Sequence, residues 1–468
     1  MMIETIRLVN YRCHRDLKEV RFAPGFNVLV GANGSGKTSL LRALADSFFG
    51  FTGYLPITSH PLPNDDAVRL ERVEIDGHLR FEHQYPVIIE TAGVFNSKPV
   101  TWTLTRSAAA GFFAPTGTLP GAMWQKDNND AGNGVGATLP ILAFYRAERQ
   151  WNQPQPQEIV AATQRPGRFD AYASYWNASS DSHALQAWAI SKCLERFQVS
   201  SETGKMFDEF QDDELALVNR ALADAIDDVE SIRNDMREKR LMVEWRGAET
   251  SAAKRFTIFE NLSDGQKAII GLVTDIARRI CLLNPHLGHE VMQNTPGVVL
   301  IDELDVHLHP KWQRSLTRGL QAAFPSIQFI VASHSPQVLS EMQPEQIIVL
   351  TSDSPSNPAV SYGLDSSSVL EEIMGATARP MEVEEALSAL FESLERNELD
   401  VARLQLAELQ KQAPGIAELN RAKSLLKRKE VVGRCANRTR KDDGTFDDFA
   451  HVIARYADQL IASPEDPR

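Results

Sequence analysis

The chain has 468 residues, 43% hydrophobic, 24% charged and 8% aromatic, a globular composition that excludes wholesale disorder and fibrous repeats and suits two or three domains. Its 49 Lys and Arg against 62 Asp and Glu leave a formal charge of −13, which opposes nonspecific coating of nucleic acid, so any DNA or RNA contact needs a local basic patch or a partner. Four scattered cysteines without a CxxC pair exclude a disulfide framework and a zinc site, and a charged opening, MMIETIRLVNYRCHR, together with the lack of a long apolar run, sets the expectation of a cytoplasmic protein.

In chain order, residues 2–9 alternate, and Phe26–Val30 is a short apolar run; both predict strands. Leu40, Leu41, Leu44 and Phe48 recur at helical spacing and predict a helix over 37–48. Short segments rich in β-branched residues between 68 and 105 predict an antiparallel β lobe. Residues 107–139, dominated by Gly, Ala, Asn and Pro, read as an exposed loop, followed by a strand at Leu139–Tyr145 and a Gln/Pro-rich linker from 150 to 167. The acidic, helix-periodic stretch 182–240 reads as part of a helical insertion, and strand 297–301, helix 310–323 and strand 328–332 form a βαβ rhythm that demands a parallel sheet. The expected boundaries are 1–150 and 256–365 for the two halves of an α/β head, 151–255 for the insertion and 366–468 for a C-terminal helical domain.

The segment Gly31-Ala-Asn33-Gly34-Ser35-Gly36-Lys37-Thr38 matches G-x-x-x-x-G-K-[ST] and lies between a predicted strand and a predicted helix, the context in which backbone N–H groups wrap phosphates. A chance glycine-rich turn would not come with that context. Asn33 through Ser39 form the expected nucleotide cradle, with Lys37 reaching the β and γ phosphates of ATP and Thr38 ligating Mg2+. The apolar run Val298–Ile301 ends in Asp302 and Glu303. Alone these could be surface acids; downstream of a P-loop they suit a metal ligand (Asp302) and a general base (Glu303). Ser263 and Gly265 stand at the start of a strongly apolar helix, where a simple helix cap is the alternative reading.

Leu262-Ser263-Asp264-Gly265-Gln266 resembles the ABC signature LSGGQ, with Asp264 replacing the first glycine, and the P-loop, signature, Asp302-Glu303 and His334 appear in the order of ABC-type ATPases. The resemblance implies an ABC-ATPase head, two nucleotides held between two copies of the chain, Ser263, Gly265 and Gln266 touching the γ-phosphate on the partner's P-loop, and His334 as the switch histidine. It makes Leu304-Asp305 the D-loop and Gln150 the candidate Q-loop glutamine. His307 and His309 are too few ligands for a metal.

About 225 residues separate Thr38 from Ser263, and no heptad run fills them, which disfavours transporter heads and long coiled-coil proteins. Asn10-Tyr11-Arg12, the P-loop, Asp302–Pro310 and Ser333–Pro336 instead resemble the RecF/OLD-like group of ABC ATPases, without the Toprim acids that OLD nucleases carry after this point. The amphipathic helices over 382–395 and 399–412 make the chain similar to the PtuA ATPases of Septu-type and retron-linked anti-phage systems, which work with a separate HNH nuclease. Residues 421–441 hold nine basic residues against Glu430 alone and suit DNA phosphate, an acidic partner or plain solvation; Asp442-Asp443 and Asp447-Asp448 lack a metal-site framework. The leading expectation is an ATPase without nuclease chemistry that controls an HNH partner. A RecF-like DNA-repair ATPase and a nucleotide-dependent scaffold remain the alternatives.

Overall fold

The computed structural model describes all residues except 58–64, 76–77, 131–136, 148–165, 181, 236–237, 239, 248–255, 352–353, 378 and 440–468. The chain divides into two compact units, Met1–Gly375 and a second beginning at Ala376.

Five apolar runs build the central sheet of the first unit. Strands β3 (Phe26–Val30), β9 (Ile141–Tyr145), β13 (Gly297–Ile301) and β14 (Ile327–Ala332) are buried at every position, as expected of parallel strands covered on both faces. With β15 (Ile347–Thr351) and β16 (Ser354–Ser356) they form a six-stranded sheet in the order β16-β15-β3-β14-β13-β9, parallel except for the edge strand β16. Helix α1 (Lys37–Ser47) follows β3 directly. A second sheet is antiparallel, in the order β2 (His14–Arg21), β1 (Met2–Tyr11), β6 (Val87–Phe95), β7 (Lys98–Arg106), β8 (Ala114–Gly117). Buried Gln328 joins the sheets: its Oε1 accepts from Ile3 N and its Nε2 donates to Ile3 O, both at 2.8 Å. These sheets are the parallel core and antiparallel lobe that the sequence predicts. Strands β4 (Leu70–Ile75) and β5 (His78–His83) make a separate ribbon.

Three expectations are corrected. Residues 107–139 are not one exposed loop: they supply β8 and helix α2 (Pro120–Asp130), because Phe113 and Trp124 are large enough to anchor an otherwise small-residue segment in the core. The Trp124 ring stands edge-on to Phe51 and Phe169, with centroids 6.4 and 6.1 Å away. The stretch 182–240 is helical only in part, as α3 (Ser182–Thr203) and α4 (Glu214–Ala225). It then turns into β10 (Val229–Asp235) and β11 (Arg240–Trp245), which pair with β12 (Phe256–Ile258). Buried Leu241 and Val243 alternate with more accessible neighbours at period two, a signal too short to survive beside the acidic helices. Leu215, Val218 and Leu222 of α4 also belong to the same core as the central sheet, so these elements are integral to the head. Finally, the C-terminal boundary falls after Gly375 instead of at 366, since Val369 and Ile373 pack into the main core from helix α7 (Ser366–Glu372) and the residue after it.

Between β12 and β13 lies α5 (Asp264–Leu283), and between β13 and β14 lies α6 (Pro310–Ala323). The second unit holds α8 (Met381–Glu395), α9 (Leu399–Gln412) and α10 (Ala417–Thr439), packed around Leu387, Leu390, Leu406, Leu409, Leu419 and Leu426. The expected two-helix hairpin is thus completed by a third helix.

Trp124→Ala is expected to lower stability by about 3 kcal/mol or more in urea denaturation, since it empties a buried aromatic site. An exposed loop would tolerate the change within about 0.5 kcal/mol.

Candidate nucleotide site

Parallel register brings the carboxyl ends of β3, β14, β13 and β9 to one edge of the sheet, where open α/β sheets bind ligands. The loop after β3 carries Asn33, Gly34 and Ser35 to α1, whose N-cap is Gly36 at φ 98°, a left-handed backbone that favours glycine. A β-carbon there would lie 2.3 Å from the His14 ring, so glycine is also required by crowding. Lys37 is buried, and its Nζ donates to Gly31 O at 2.8 Å and Ala32 O at 3.1 Å. Burial pushes its amine below the ordinary 10.5, against the pull of Asp302 and Glu303. The Ser35 hydroxyl is buried without a hydrogen-bond partner, while Thr38 at the start of α1 is exposed. A loop of amides, a desolvated cation and an orphaned hydroxyl fit the oxygens of a polyphosphate.

Cys13, in the turn from β1 to β2, and His14, the first residue of β2, press on the same loop, His14 Nε2 lying 3.3 Å from Gly36 O. Burial pushes the Cys13 thiol up, but hydrogen bonding with His14 and Ser39 outweighs this and leaves it below its ordinary 9.0. The sequence carried no signal for this contact beyond its proximity to Asn10-Tyr11-Arg12.

At the end of β13 the chain places Asp302 in the interior and Glu303 in solvent. Glu303 has φ 49° and His307 φ 61°, left-handed conformations that non-glycine residues adopt only under constraint. The constraints are visible: Asp302 N donates to Tyr145 O at 2.8 Å, Leu304 N to Ala332 O at 2.9 Å, and His334 N to the Asp305 carboxylate at 3.2 Å. The strand-end acids, the loop 304–308 and His334 are therefore brought together. His309 instead caps α6, its Nδ1 accepting from Lys311 N at 3.3 Å.

Ser263 is exposed and is the N-cap of α5. Its N donates to Gln266 Oε1 at 3.0 Å and its Oγ accepts from Gln266 N at 3.4 Å, a capping box, so the cap and signature readings describe one residue. Exposed Asp264 tolerates a side chain where the signature has glycine. Gly265 does not: a β-carbon would lie 2.0 Å from His307 O. Beside this helix start opens a pocket of about 500 Å³ lined by Ser263, Gln266, His307, Lys311, Trp245 and Trp312 among others. Gln150 and Asp442-Asp443 lie outside the described residues.

A family model described as an AAA domain matches residues 5–241, and a second AAA-domain model, whose description also names an AbiEii toxin of a type IV TA system, matches 224–340. The chain belongs to this AAA-domain family. It is similar to the Retron Vc95 probable ATPase of Vibrio cholerae, 24% identical over 84% of this chain and 82% of that protein. It is also similar to the Septu protein PtuA of Bacillus thuringiensis, 33% identical over 30% of this chain and 38% of that protein. An SMC head domain from Thermotoga maritima matches at a TM-score of 0.40 and 14% identity over 76% of this chain and 98% of that one. With the AAA-domain match and these relatives, the chain is an ATPase-type protein resembling PtuA.

Under the candidate nucleotide site lies a buried ionic network without any sequence motif to announce it. Asp275 of α5 is fully buried, bonded to Arg279 Nε and Arg278 Nη2, each at 2.7 Å, and to the Tyr145 hydroxyl at 2.8 Å. Arg279 Nη1 also donates to Ala171 O and Ala173 O. Burial pushes the Asp275 carboxyl up, and the guanidiniums of Arg279 and Arg278 outweigh that and hold it below the ordinary 3.8. Because Tyr145 O accepts from Asp302 N, this network clamps α5 to the strand beside the acid pair.

A depressed carboxyl stabilises the fold above its unfolded value and loses that contribution as pH falls through the folded one. Asp275→Asn is expected to cost about 3–5 kcal/mol at neutral pH, because it removes the anion facing two buried guanidiniums. The deficit relative to the native chain should shrink below about pH 3.8, the ordinary carboxylate value, in denaturation curves recorded against pH.

Proposed function

We propose that this chain is the ATPase subunit of an anti-phage defence system, that it hydrolyses ATP between two copies of itself, and that it governs a separate HNH-type nuclease without nuclease chemistry of its own. The observation that supports hydrolysis best is the buried, depressed Lys37 amine resting on loop carbonyls within the field of Asp302 and Glu303. The defence role is supported by the likeness to the retron ATPase over most of both chains.

In this reading Asn33 to Ser39 cradle the triphosphate, and Lys37 leaves the Gly31 and Ala32 carbonyls for the β and γ phosphates. Mg2+ held by Thr38 and Asp302 would neutralise phosphate charge. Glu303, exposed beside the metal ligand, takes the proton of the attacking water. His334 donates to the γ-phosphate from its side of the sheet edge. Ser263, exposed at the start of α5, serves with the neighbouring Gly265 and Gln266 the γ-phosphate bound by the other copy, so each site needs two chains.

The shared-site reading is tested by mixing variants. Ser263→Arg and Lys37→Ala should each lack ATPase activity, Lys37→Ala through lost nucleotide binding, and their mixture should recover activity through one intact composite site per heterodimer. A folded pair that fails to complement would sink the shared site.

The basic stretch is partly structural, since Lys429 Nζ donates to Leu394 O at 2.6 Å and Glu430 pairs with Arg403. Arg421, Lys423, Lys427 and Arg428 are exposed on α10, and they are the residues we assign to partner or DNA phosphate. Reversing these four charges should leave ATP binding intact and abolish co-purification of a co-expressed HNH nuclease. Loss of DNA affinity by the isolated chain instead would favour the RecF-like reading.

A further inference from the structure

The segment Leu308-His309-Pro310-Lys311-Trp312-Gln313 starts α6 with two devices, a His309 cap and Pro310 at the first helical position. Gln313 stands one turn inside. Side chains of helices lean toward the N-terminus, so Gln313 reaches back over the loop that precedes its own helix. Its Nε2 donates to Leu308 O at 3.0 Å and Asp305 O at 3.3 Å. Two carbonyls fix the amide nitrogen on that side and turn Oε1 toward the switch loop, where it accepts from the buried Ser335 hydroxyl at 2.8 Å.

We propose that Gln313 is a positioning residue that latches the loop Glu303–Leu308 to the switch loop carrying His334, so that the signature helix and the switch histidine register each other's position. The proposal rests on the ATPase reading above. One wall of the latch is the signature: Gly265 lies against His307 O so closely that no β-carbon fits between them. The other wall is the switch loop, tied at His334 N to the Asp305 carboxylate. Between them the loop is held left-handed at both Glu303 and His307, a shape that relaxes unless its carbonyls are engaged. Gln313 engages two of those carbonyls and Ser335 at once. Ser335 Oγ also lies 3.0 Å from Gln337 Oε1, so its single proton has a second acceptor when Gln313 withdraws. Movement of the signature helix at His307 thereby reaches the residue next to His334.

Gln313→Leu fills the same space without either polar function. It should lower kcat on the order of tenfold or more while leaving the dissociation constant for ATP within about twofold, the split expected of misplaced reacting groups. In the nucleotide-free protein it should raise hydrogen exchange at the Leu304 and His334 amides together. Gln313→Glu gives a readout that packing alone would not move. Its carboxylate repels the two carbonyls, whereas its protonated form can again donate to a carbonyl and accept from Ser335. The ratio of its kcat to that of the native chain should therefore rise as pH falls into the carboxyl range.

Unchanged exchange at both amides, a flat ratio across pH, or parallel loss of kcat and ATP affinity would overturn the latch. If Gln313→Leu does not fold, the Gln313→Glu ratio decides. A native chain without turnover refutes the ATPase reading, and the exchange measurement still decides the latch.

Discussion

A fully buried carboxylate is tolerable only where cations meet it, and Asp275 meets two on its own helix and a phenol from β9. Much of the head is arranged around that requirement. Helix α5 must lie where Arg279 can also reach the Ala171 and Ala173 carbonyls, and β9 must end with Tyr145 turned toward the helix. The same Tyr145 offers its carbonyl to Asp302 N, so the orientation of the helix behind Ser263 and the position of the strand-end acids answer to one cluster.

From that clamp the site follows by crowding. The acid loop crosses from β13 to α6 in a conformation that two non-glycine residues adopt against their preference, and it is kept there by neighbours on both flanks. Gly265 and Gly36 do the same kind of service on opposite sides, each permitting an approach that any β-carbon would block. Lys37 sits in this enclosure with its amine lowered by burial and its Nζ held by the Gly31 and Ala32 carbonyls.

The second unit obeys a different logic. It has its own leucine-lined core, and its longest helix spends one basic residue, Lys429, on the end of a neighbouring helix while leaving Arg421, Lys423, Lys427 and Arg428 in solvent. A run of like charge in sequence thus separates in space into a structural part and an available part.

Sequence alone was enough for the parallel core, the antiparallel lobe and the candidate phosphate loop, because fully apolar runs, β-branched alternation and a glycine pattern between strand and helix are local signals with few alternative explanations. It placed α8 and α9 for the same reason. It missed α2, where two aromatic anchors outweigh a loop-like composition, and β10 and β11, whose period-two pattern is only a few residues long. It gave His309 no role beyond setting a metal pair aside, where the fold makes it a helix cap, and it could not see Asp275, Tyr145, His14 or Gln313, which have no motif. Their roles arise from partners tens to hundreds of residues away, and only the packed chain brings a carboxylate, a carbonyl or a crowded glycine within reach to give each side chain its meaning.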